Sequence, residues 1–399
     1  MVEPFRILVL NQISTVGLKR LPHERYSVGK AVTDPDAILV RSHDMHDMVL
    51  PASVRAVGRA GAGTNNIPVN ALSARGVPVF NAPGGNANAV KELVLAGMLM
   101  AARNLAPALG FTAGLTAAGD DLDRLVEDGK KHFAGFELTG HTLGVVGLGR
   151  VGCLVADAAI KLGMQVYGYD PDITVDAAWS LPAQVKRAHS IDEVMKAGHF
   201  VTLHVPLVAT TRDLVNARNI ELMRHGAILL NFSRDGIVNE AAVLAALESH
   251  KLKAYVSDFP SAASRGHAGV VALPHLGAST REAEDNCAVM VADALRDYLE
   301  HGNIRNTVNF PEVVMPRESP FRVAIANANV PNMLGQISTA MAHAGLNIHN
   351  MLNKSRGEMA YTLVDVDSAV PAATVEALAK ISGVLVARYL PLEGSSHPS

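Results

Sequence analysis

Cysteine is almost missing from this chain. The 2 that occur, Cys153 and Cys287, stand far apart and outside any CxxC pair, which excludes a disulfide framework and a cysteine metal site and leads us to expect a reducing, cytoplasmic setting. Long apolar runs are missing too. The longest, Leu93 to Ala102, has about half the roughly 20 residues a bilayer span needs. The N-terminus MVEPFRILVL has Glu3 and Pro4 where a signal peptide carries its basic region, so it reads as a first strand. Nor does one sign of charge dominate: 35 Lys and Arg face 38 Asp and Glu, a net charge of -3. Such a surface gives no footprint for nucleic acid or an anionic membrane, which leaves a small molecule as the expected partner, with no metal.

What the chain does have is apolar side chain to bury. Hydrophobic residues make up 49% and charged ones 18% of 399 residues, a globular composition long enough for two to four domains. Ile7 to Leu10, Ala37 to Val40, Val54 to Val57 and Val77 to Phe80 read as strands of one α/β unit. Helices are expected over 88–102 and 112–128. From Thr142 the segments LGVV, QVYGY, FVTLHVP, AILLNF, KAYVSDF and VVALP alternate with helical stretches, the rhythm of a doubly wound parallel sheet. A long helix over 281–300 follows, then Pro311, Pro316 and Pro320, whose spacing marks a linker. The remaining residues carry strand, helix, strand, strand, helix, strand, which suits a small ferredoxin-like domain.

The strongest motif is GLGRVG. Gly147, Gly149 and Gly152 follow a strand and open a helix, and Asp170 ends the next strand. Glycines there allow a tight turn and close approach of the main chain to a pyrophosphate, the helix N-terminus offers N–H groups, and the acid can bind a ribose diol. NAD is expected over NADP, because Asp170 and Asp172 would repel a 2′-phosphate and YDPD has no nearby arginine to receive one. Hydride transfer also needs a proton donor and a cation for the substrate's acid. His275 and Arg234 stand at strand ends, in LPHLGAST and NFSRDG. For His275 the ordinary alternative is a structural histidine.

GLGRVG, VTLHVPL, NFSRDGIVNE and PHLGAST, in this order and at these spacings, resemble the D-isomer specific 2-hydroxyacid dehydrogenases. Arg59 to Gly63 with Asn66-Ile67, and Asn81 with Val90 and Glu92-Leu93, are similar to that family's substrate-domain motifs. Arg41 in VRS, then VKELV, SDFP, NCAVM, VNFP and NVPNMLGQIS, resemble its short members that act on a phosphorylated acid and end in an ACT module. The resemblance implies a Rossmann-type NAD-binding domain at 102–275 inserted into a substrate-binding domain at 1–101 and 276–310. A linker at 311–320, an ACT-like regulatory domain at 321–393 and a disordered tail at 394–399 would follow. It also implies oxidation of 3-phospho-D-glycerate to 3-phosphonooxypyruvate, with a reductase of glyoxylate, hydroxypyruvate or 2-oxoglutarate, or a non-catalytic NAD sensor, as the alternatives.

By the same resemblance His275 is acid and base, Arg234 holds the carboxylate, and the N–H groups of Ala62 and Gly63 assist it. Arg150 and Val151 lie on the pyrophosphate; His204, Val205, Pro206, Phe232 and Ser233 line the dinucleotide; Asp258 receives the nicotinamide carboxamide. A phosphorylated acid carries about three negative charges near neutral pH, so Arg41, Arg59 and Lys91 are candidates for its phosphate, with a surface salt bridge or a snorkelling side chain as the plain alternative. Asn327, Asn329 and Asn347 resemble an effector site for L-serine, although asparagines of this kind also form turns. A homodimer or homotetramer is implied. Two departures stand out. Asp235 sits where the family has glycine, beside Arg234. The family's glutamate, which pairs with the histidine, would fall near Ala262, so either Glu282 or Glu284 replaces it or His275 gives up its proton at lower pH than in relatives that keep the pair.

Overall fold

The β-branched runs near the N-terminus pair into a parallel sheet of order β2-β1-β3-β4-β5. It consists of β1 (Phe5–Leu10), β2 (Tyr26–Gly29), β3 (Ala37–Val40), β4 (Ala56–Arg59) and β5 (Val79–Phe80) in a computed structural model that describes residues 3–392. All four residues of β3 are buried, as befits a parallel strand covered on both faces. The long helix Arg281–His301 supplies cover: Cys287, Val291, Leu295 and Leu299 recur along one face and share a core with Ile7, Val9 and Leu39. β2 was not expected, since YSVG is short and half polar.

A second sheet is built from β6 (Thr142–Val146), β7 (Gln165–Tyr169), β8 (Lys186–Arg187), β9 (Phe200–Leu203), β10 (Ala227–Asn231), β11 (Leu252–Ser257) and β12 (Val270–Ala272). Its order β12-β11-β10-β9-β6-β7-β8 reverses at β6/β9, the switch point at which doubly wound folds open a crevice for ligands. The expected Rossmann-type α/β fold is therefore present. Its compact unit is Ala87–Thr280, and the other unit comprises the residues up to Asn86 and from Arg281 on. These borders correct the expected ones at 101/102 and 275/276. The helix Ala87–Ala102 falls in the second unit because Val90, Val94 and Met98 share a core with Val145, Leu230 and Val256. The helix expected over 112–128 is two, Leu105–Ala113 and Asp120–Gly129, separated where Gly114 caps the first and Gly119 takes a φ of 60° before the second. Among the described residues no single helix is long and apolar enough to cross a membrane.

The C-terminal strands β13 (Phe321–Ala328), β14 (Ile348–Arg356), β15 (Met359–Val366) and β16 (Val384–Pro391) form an antiparallel sheet of order β14-β15-β13-β16. Helices Met333–His343 and Ala372–Ala379 pack on one face through Ile337, Met341 and Leu378, giving the ferredoxin-like arrangement that was expected. The other face puts Ala324, Tyr361, Leu363 and Leu390 into the core of the first unit. Residues 311–320 are correspondingly no loose tether: Pro311, Val313, Met315 and Ser319 are buried. Arg322, fully buried, explains why. It grips Asp365 through two hydrogen bonds of 2.6 and 2.8 Å and donates to the carbonyls of His301, Met315 and Pro316 at 3.0 to 3.1 Å. The tail expected to be disordered at 394–399 lies outside the described residues.

Candidate active site

The second unit shapes its glycine loop by steric necessity. Gly147 has a φ of 92°, and a Cβ there would lie 2.5 Å from the His204 carbonyl oxygen; a Cβ on Gly152 would lie 2.0 Å from that of Gly147. Above Gly149 there is open space within 4 Å. Helix Arg150–Lys161 begins directly after it with no side chain capping its first N–H groups, which leaves them for an anion such as a pyrophosphate. Arg150 is exposed at this end and Val151 partly buried. Asp170 braces the loop. Its Oδ2 accepts the Leu148 N–H at 2.8 Å and its Oδ1 that of Asp172 at 3.0 Å.

A cavity of about 470 Å³ opens beside Asp170, lined by Leu148, Tyr169, Ile173 and Leu181, an apolar slot of a size for an adenosine. Arg187 and His189 line it as well. The sequence around YDPD had suggested that no arginine stood near; β8 brings one from 17 positions downstream. His204 bonds Thr202 Oγ1 at 3.0 Å, and burial of the ring pushes its pKa down to about 3, so it is neutral. Val205 and Pro206 continue this edge, and the Ser233 hydroxyl donates to the Val205 carbonyl.

The turn after β10 is made by a residue that sequence reasoning missed. Asn231, 2% exposed, donates to the Arg234 carbonyl at 3.0 Å and accepts the Ser233 N–H at 3.2 Å. An Asn at a strand end followed by a polar turn was the available signal. Phe232 is buried, whereas Arg234 is exposed and donates to the Ser233 carbonyl at 2.6 Å. Asp235 accepts the N–H of Gly236 at 2.8 Å and makes no ion pair with Arg234 among the described residues.

His275 is exposed just beyond β12, its ring edge-on to Phe259 with centroids 5.0 Å apart. Asp258, immediately after β11, is 1% exposed, and neither carboxyl oxygen reaches hydrogen-bonding geometry with any group. Burial pushes this carboxyl up, while the charge of His275 and the amides of Gly277, Asp258 and Leu276 oppose the rise.

In the first unit, Arg41 follows β3 and Arg59 ends β4, both at the carboxyl edge of that sheet. Arg41 Nη2 bonds Glu284 Oε1 at 2.6 Å, and Arg59 Nε donates to the Arg41 carbonyl at 3.0 Å. The ordinary alternative for Arg41, an ion pair, is thus present, and Glu284 is committed to it. The loop through Ala62 and Gly63 is pinned by Asn81, whose Nδ2 donates to the Ala62 carbonyl at 2.6 Å, and by Asn66, which donates to the His43 carbonyl at 2.7 Å. No group among the described residues accepts the N–H of Ala62 or of Gly63. Lys91 belongs to the second unit, where it bonds Asn88 at 2.6 Å and lies 3.8 Å from Glu92.

The C-terminal sheet holds a cavity of about 230 Å³ lined by Asn327, Asn329, Asn332, Met333 and Asn353. Asn327 is 1% exposed with its Oδ1 unpartnered; Asn329 donates to the Gly357 carbonyl at 3.0 Å. Asn347 does not line it. That residue is exposed and exchanges main-chain and side-chain bonds of 3.1 Å with Asp367. Asn353, unmarked in the sequence, stands in the cavity instead.

Residues 96–277 match the D-isomer specific 2-hydroxyacid dehydrogenase NAD-binding domain. The chain is 32% identical to D-3-phosphoglycerate dehydrogenase of Haemophilus influenzae, over 88% of this chain and 85% of that protein. With the enzyme of the same name from Methanocaldococcus jannaschii it shares 33% over 84% of this chain and 62% of the relative. Among solved structures, NAD+-bound 3-phosphoglycerate dehydrogenase of Entamoeba histolytica superposes with a TM-score of 0.60 at 24% identity, over 77% of this chain and 99% of that one, a likeness of fold. With a glycine loop, a bracing aspartate and an open helix end that fit a dinucleotide, and with relatives alike over most of its length, the chain belongs to the NAD-dependent D-isomer specific 2-hydroxyacid dehydrogenases.

Proposed function

We propose that the chain oxidises 3-phospho-D-glycerate to 3-phosphonooxypyruvate with NAD, the entry to serine synthesis. The observation that carries the reading is that Arg234 and His275 follow β10 and β12 at the same sheet edge as the glycine loop, in a chain similar to enzymes named for this substrate. Bound NAD supplies the hydride acceptor. Neutral His275 takes the proton of the 2-hydroxyl as the alcohol is oxidised and returns it in the reverse direction. Arg234 offers the carboxylate a planar two-donor fork, and the N–H groups of Ala62 and Gly63 are the further donors proposed for the acid. Arg59, Arg41 and Lys91 are the cations for the phosphate; those of Arg41 and Lys91 are shared with Glu284 and Glu92.

The Asn327 and Asn329 cavity suits a small zwitterion such as L-serine, since a buried amide offers both donor and acceptor. A homodimer or homotetramer is favoured by helix Leu105–Ala113, an apolar segment with no buried residue and with Leu109 67% exposed. Two unpaired cysteines accord with a reducing compartment such as the cytoplasm. One observation favours a second reading, an NAD-binding sensor: Ala262, at the place of the family's glutamate, is exposed in a turn with no carboxylate. Turnover of 3-phosphoglycerate with NAD, with the keto acid trapped to pull the equilibrium, tests the proposal against reduction of glyoxylate, hydroxypyruvate and 2-oxoglutarate by NADH. No turnover of any of these in folded protein that binds NADH would replace the enzyme by the sensor.

A further inference from the structure

Where β16 approaches the segment leading into β4, the first unit encloses a small cavity of about 160 Å³. Three arginines line it and no acid does: Arg55 just ahead of β4, Arg75 at the C-terminal cap of helix Val69–Ala74, and Arg388 of β16. The two walls meet closely beside it. Gly76 has a φ of 70°, and a Cβ on it would lie 2.8 Å from Val386 Cγ2 and 2.9 Å from Leu385 Cβ.

The charges of these arginines are incompletely answered. Arg55 Nη2 lies 3.5 Å from Asp36 Oδ1, but that carboxylate also accepts the Arg6 main-chain N–H at 2.8 Å and stands 3.8 Å from the Arg6 guanidinium. Arg75 donates to the carbonyls of Leu50 and Pro51 at 3.2 and 2.6 Å. Arg388 donates from Nη2 to the Leu299 carbonyl at 3.2 Å and lies over the Tyr298 ring, while its Nη1 is buried with no partner among the described residues. Carbonyls and a ring face solvate a guanidinium without cancelling its charge. The acids near Tyr298 on helix Arg281–His301 are engaged elsewhere, Asp297 with Asn303 and Arg305, Glu300 with Arg25 and Tyr26. Burial, and after it the charge of Arg388, push the Arg55 guanidinium below its usual pKa against the pull of Asp36. Crowded like charges and a buried donor left unmade are both costly unless an occupant answers them.

We infer that this cavity is a binding site for a compact dianionic oxyanion, inorganic phosphate or the phosphoryl group of a small phosphate monoester, held by Arg55, Arg75 and Arg388. Charge selects the ligand. A phosphoryl group brings nearly two negative charges at neutral pH and three acceptor oxygens, a match for three guanidinium forks, whereas a lone carboxylate brings one charge and two oxygens. Size limits it: the volume is that of roughly five waters, enough for a tetrahedral head group and too little for a nucleotide. The site is distinct from the cations proposed for the substrate's phosphate, since Arg59 ends β4 about 13 Å along the strand from Arg55. Its occupant ties β16 to the segment ahead of β4, so the C-terminal sheet is fastened to the first sheet by an anion as well as by the buried Arg322. The inference holds whether or not the chain oxidises 3-phospho-D-glycerate.

The test is thermal unfolding of the full chain in phosphate and in chloride at matched ionic strength. An anion that binds only the folded chain raises Tm by mass action, so phosphate well above its Kd should raise Tm of the native chain by about 2 to 4 °C more than that of the double variant Arg55→Gln with Arg388→Gln. Calorimetry should show a phosphate site in the native chain that the double variant binds roughly tenfold more weakly or not at all. An equal gain in the two proteins would place the anion elsewhere, the arginines of the substrate edge included, and would overturn the inference; so would a native chain that gains no more from phosphate than from chloride. Glycerol 2-phosphate separates the two sources. If it binds the site lost in the double variant about tenfold more tightly than phosphate does, the ligand is a monoester, and equal or weaker binding assigns the site to the free ion. Should the double variant fail to fold, modification of the native chain by phenylglyoxal decides instead. Arg55, with 47% of its side chain exposed, should react roughly fivefold more slowly in phosphate than in chloride, as read by mass spectrometry of its peptide, and an unchanged rate refutes the site.

Discussion

Two parallel sheets offer their carboxyl edges to ligands in different ways. In the second unit the edge is made mainly of main chain: bare N–H groups after Gly149, a loop braced through backbone amides by Asp170, a turn shaped by Asn231. In the first unit it is made of charges, and Arg41 is already answered by Glu284. A main-chain site is fixed by conformation and can be read in the positions of glycines. A charged site depends on which partner folding brings, and its strength can be set by a residue more than two hundred positions away.

Several substitutions would break or sharpen this contrast. The largest effect is expected at His275, where alanine should lower kcat by about 10² to 10⁴-fold with a smaller change in KM; near-normal turnover would remove it from the chemistry. Arg322→Met leaves Asp365 buried and unanswered, at a cost of about 3 to 5 kcal/mol in urea denaturation. The double replacement Arg322→Met with Asp365→Leu should recover most of that loss. If the single variant is as stable as the native chain, charge does not anchor the C-terminal sheet. Arg234→Lys keeps the charge but not the fork, so kcat/KM for the acid should fall about ten- to a hundredfold.

Smaller effects probe the two edges directly. Asp170→Ala removes both main-chain acceptor contacts and the repulsion of a 2′-phosphate, with Arg187 on the same cavity. The ratio of kcat/KM for NAD over NADP should narrow by about tenfold. An unchanged ratio would remove Asp170 from cofactor choice. Smallest of all, Glu284→Gln should release Arg41 and lower the KM for the phosphorylated acid by roughly two- to fivefold, the scale of a half-exposed ion pair. A KM that does not move would mean that Arg41 does not touch the phosphate.

The contrast also decides what the sequence made legible. The doubly wound order, the glycine loop and Asp170 were readable because their signals are local: spacing within one strand, turn and helix. Arg187, Asn353 and Glu284 were not, since each reaches its site by strand or helix placement far along the chain, and nothing in KR, NKS or REAED marks them. Asn347 was taken for a cavity residue on family likeness, yet its turn with Asp367 holds it outside. The prolines at 311, 316 and 320 were read as a spacer because composition reports stiffness and not burial; only Arg322 reveals that the segment is strapped down. The missing glutamate was visible at once.

The strapping of the C-terminal sheet bears on the order in which the chain can fold during synthesis. Core partners of β1 and β3 lie on the helix Arg281–His301, and the same cluster is completed by Leu390 near the end of the described chain. The first 86 residues therefore emerge long before the segments that cover them, while residues 87–280 already hold all the strands of their own sheet. Domains fold as units while the chain lengthens, and distant contacts carry a loop-closure cost. The dinucleotide unit is thus placed to fold first, on the nascent chain, and to shorten the gap that the two outer segments must close. Truncation before residue 390 would take away part of a core and not an appendage.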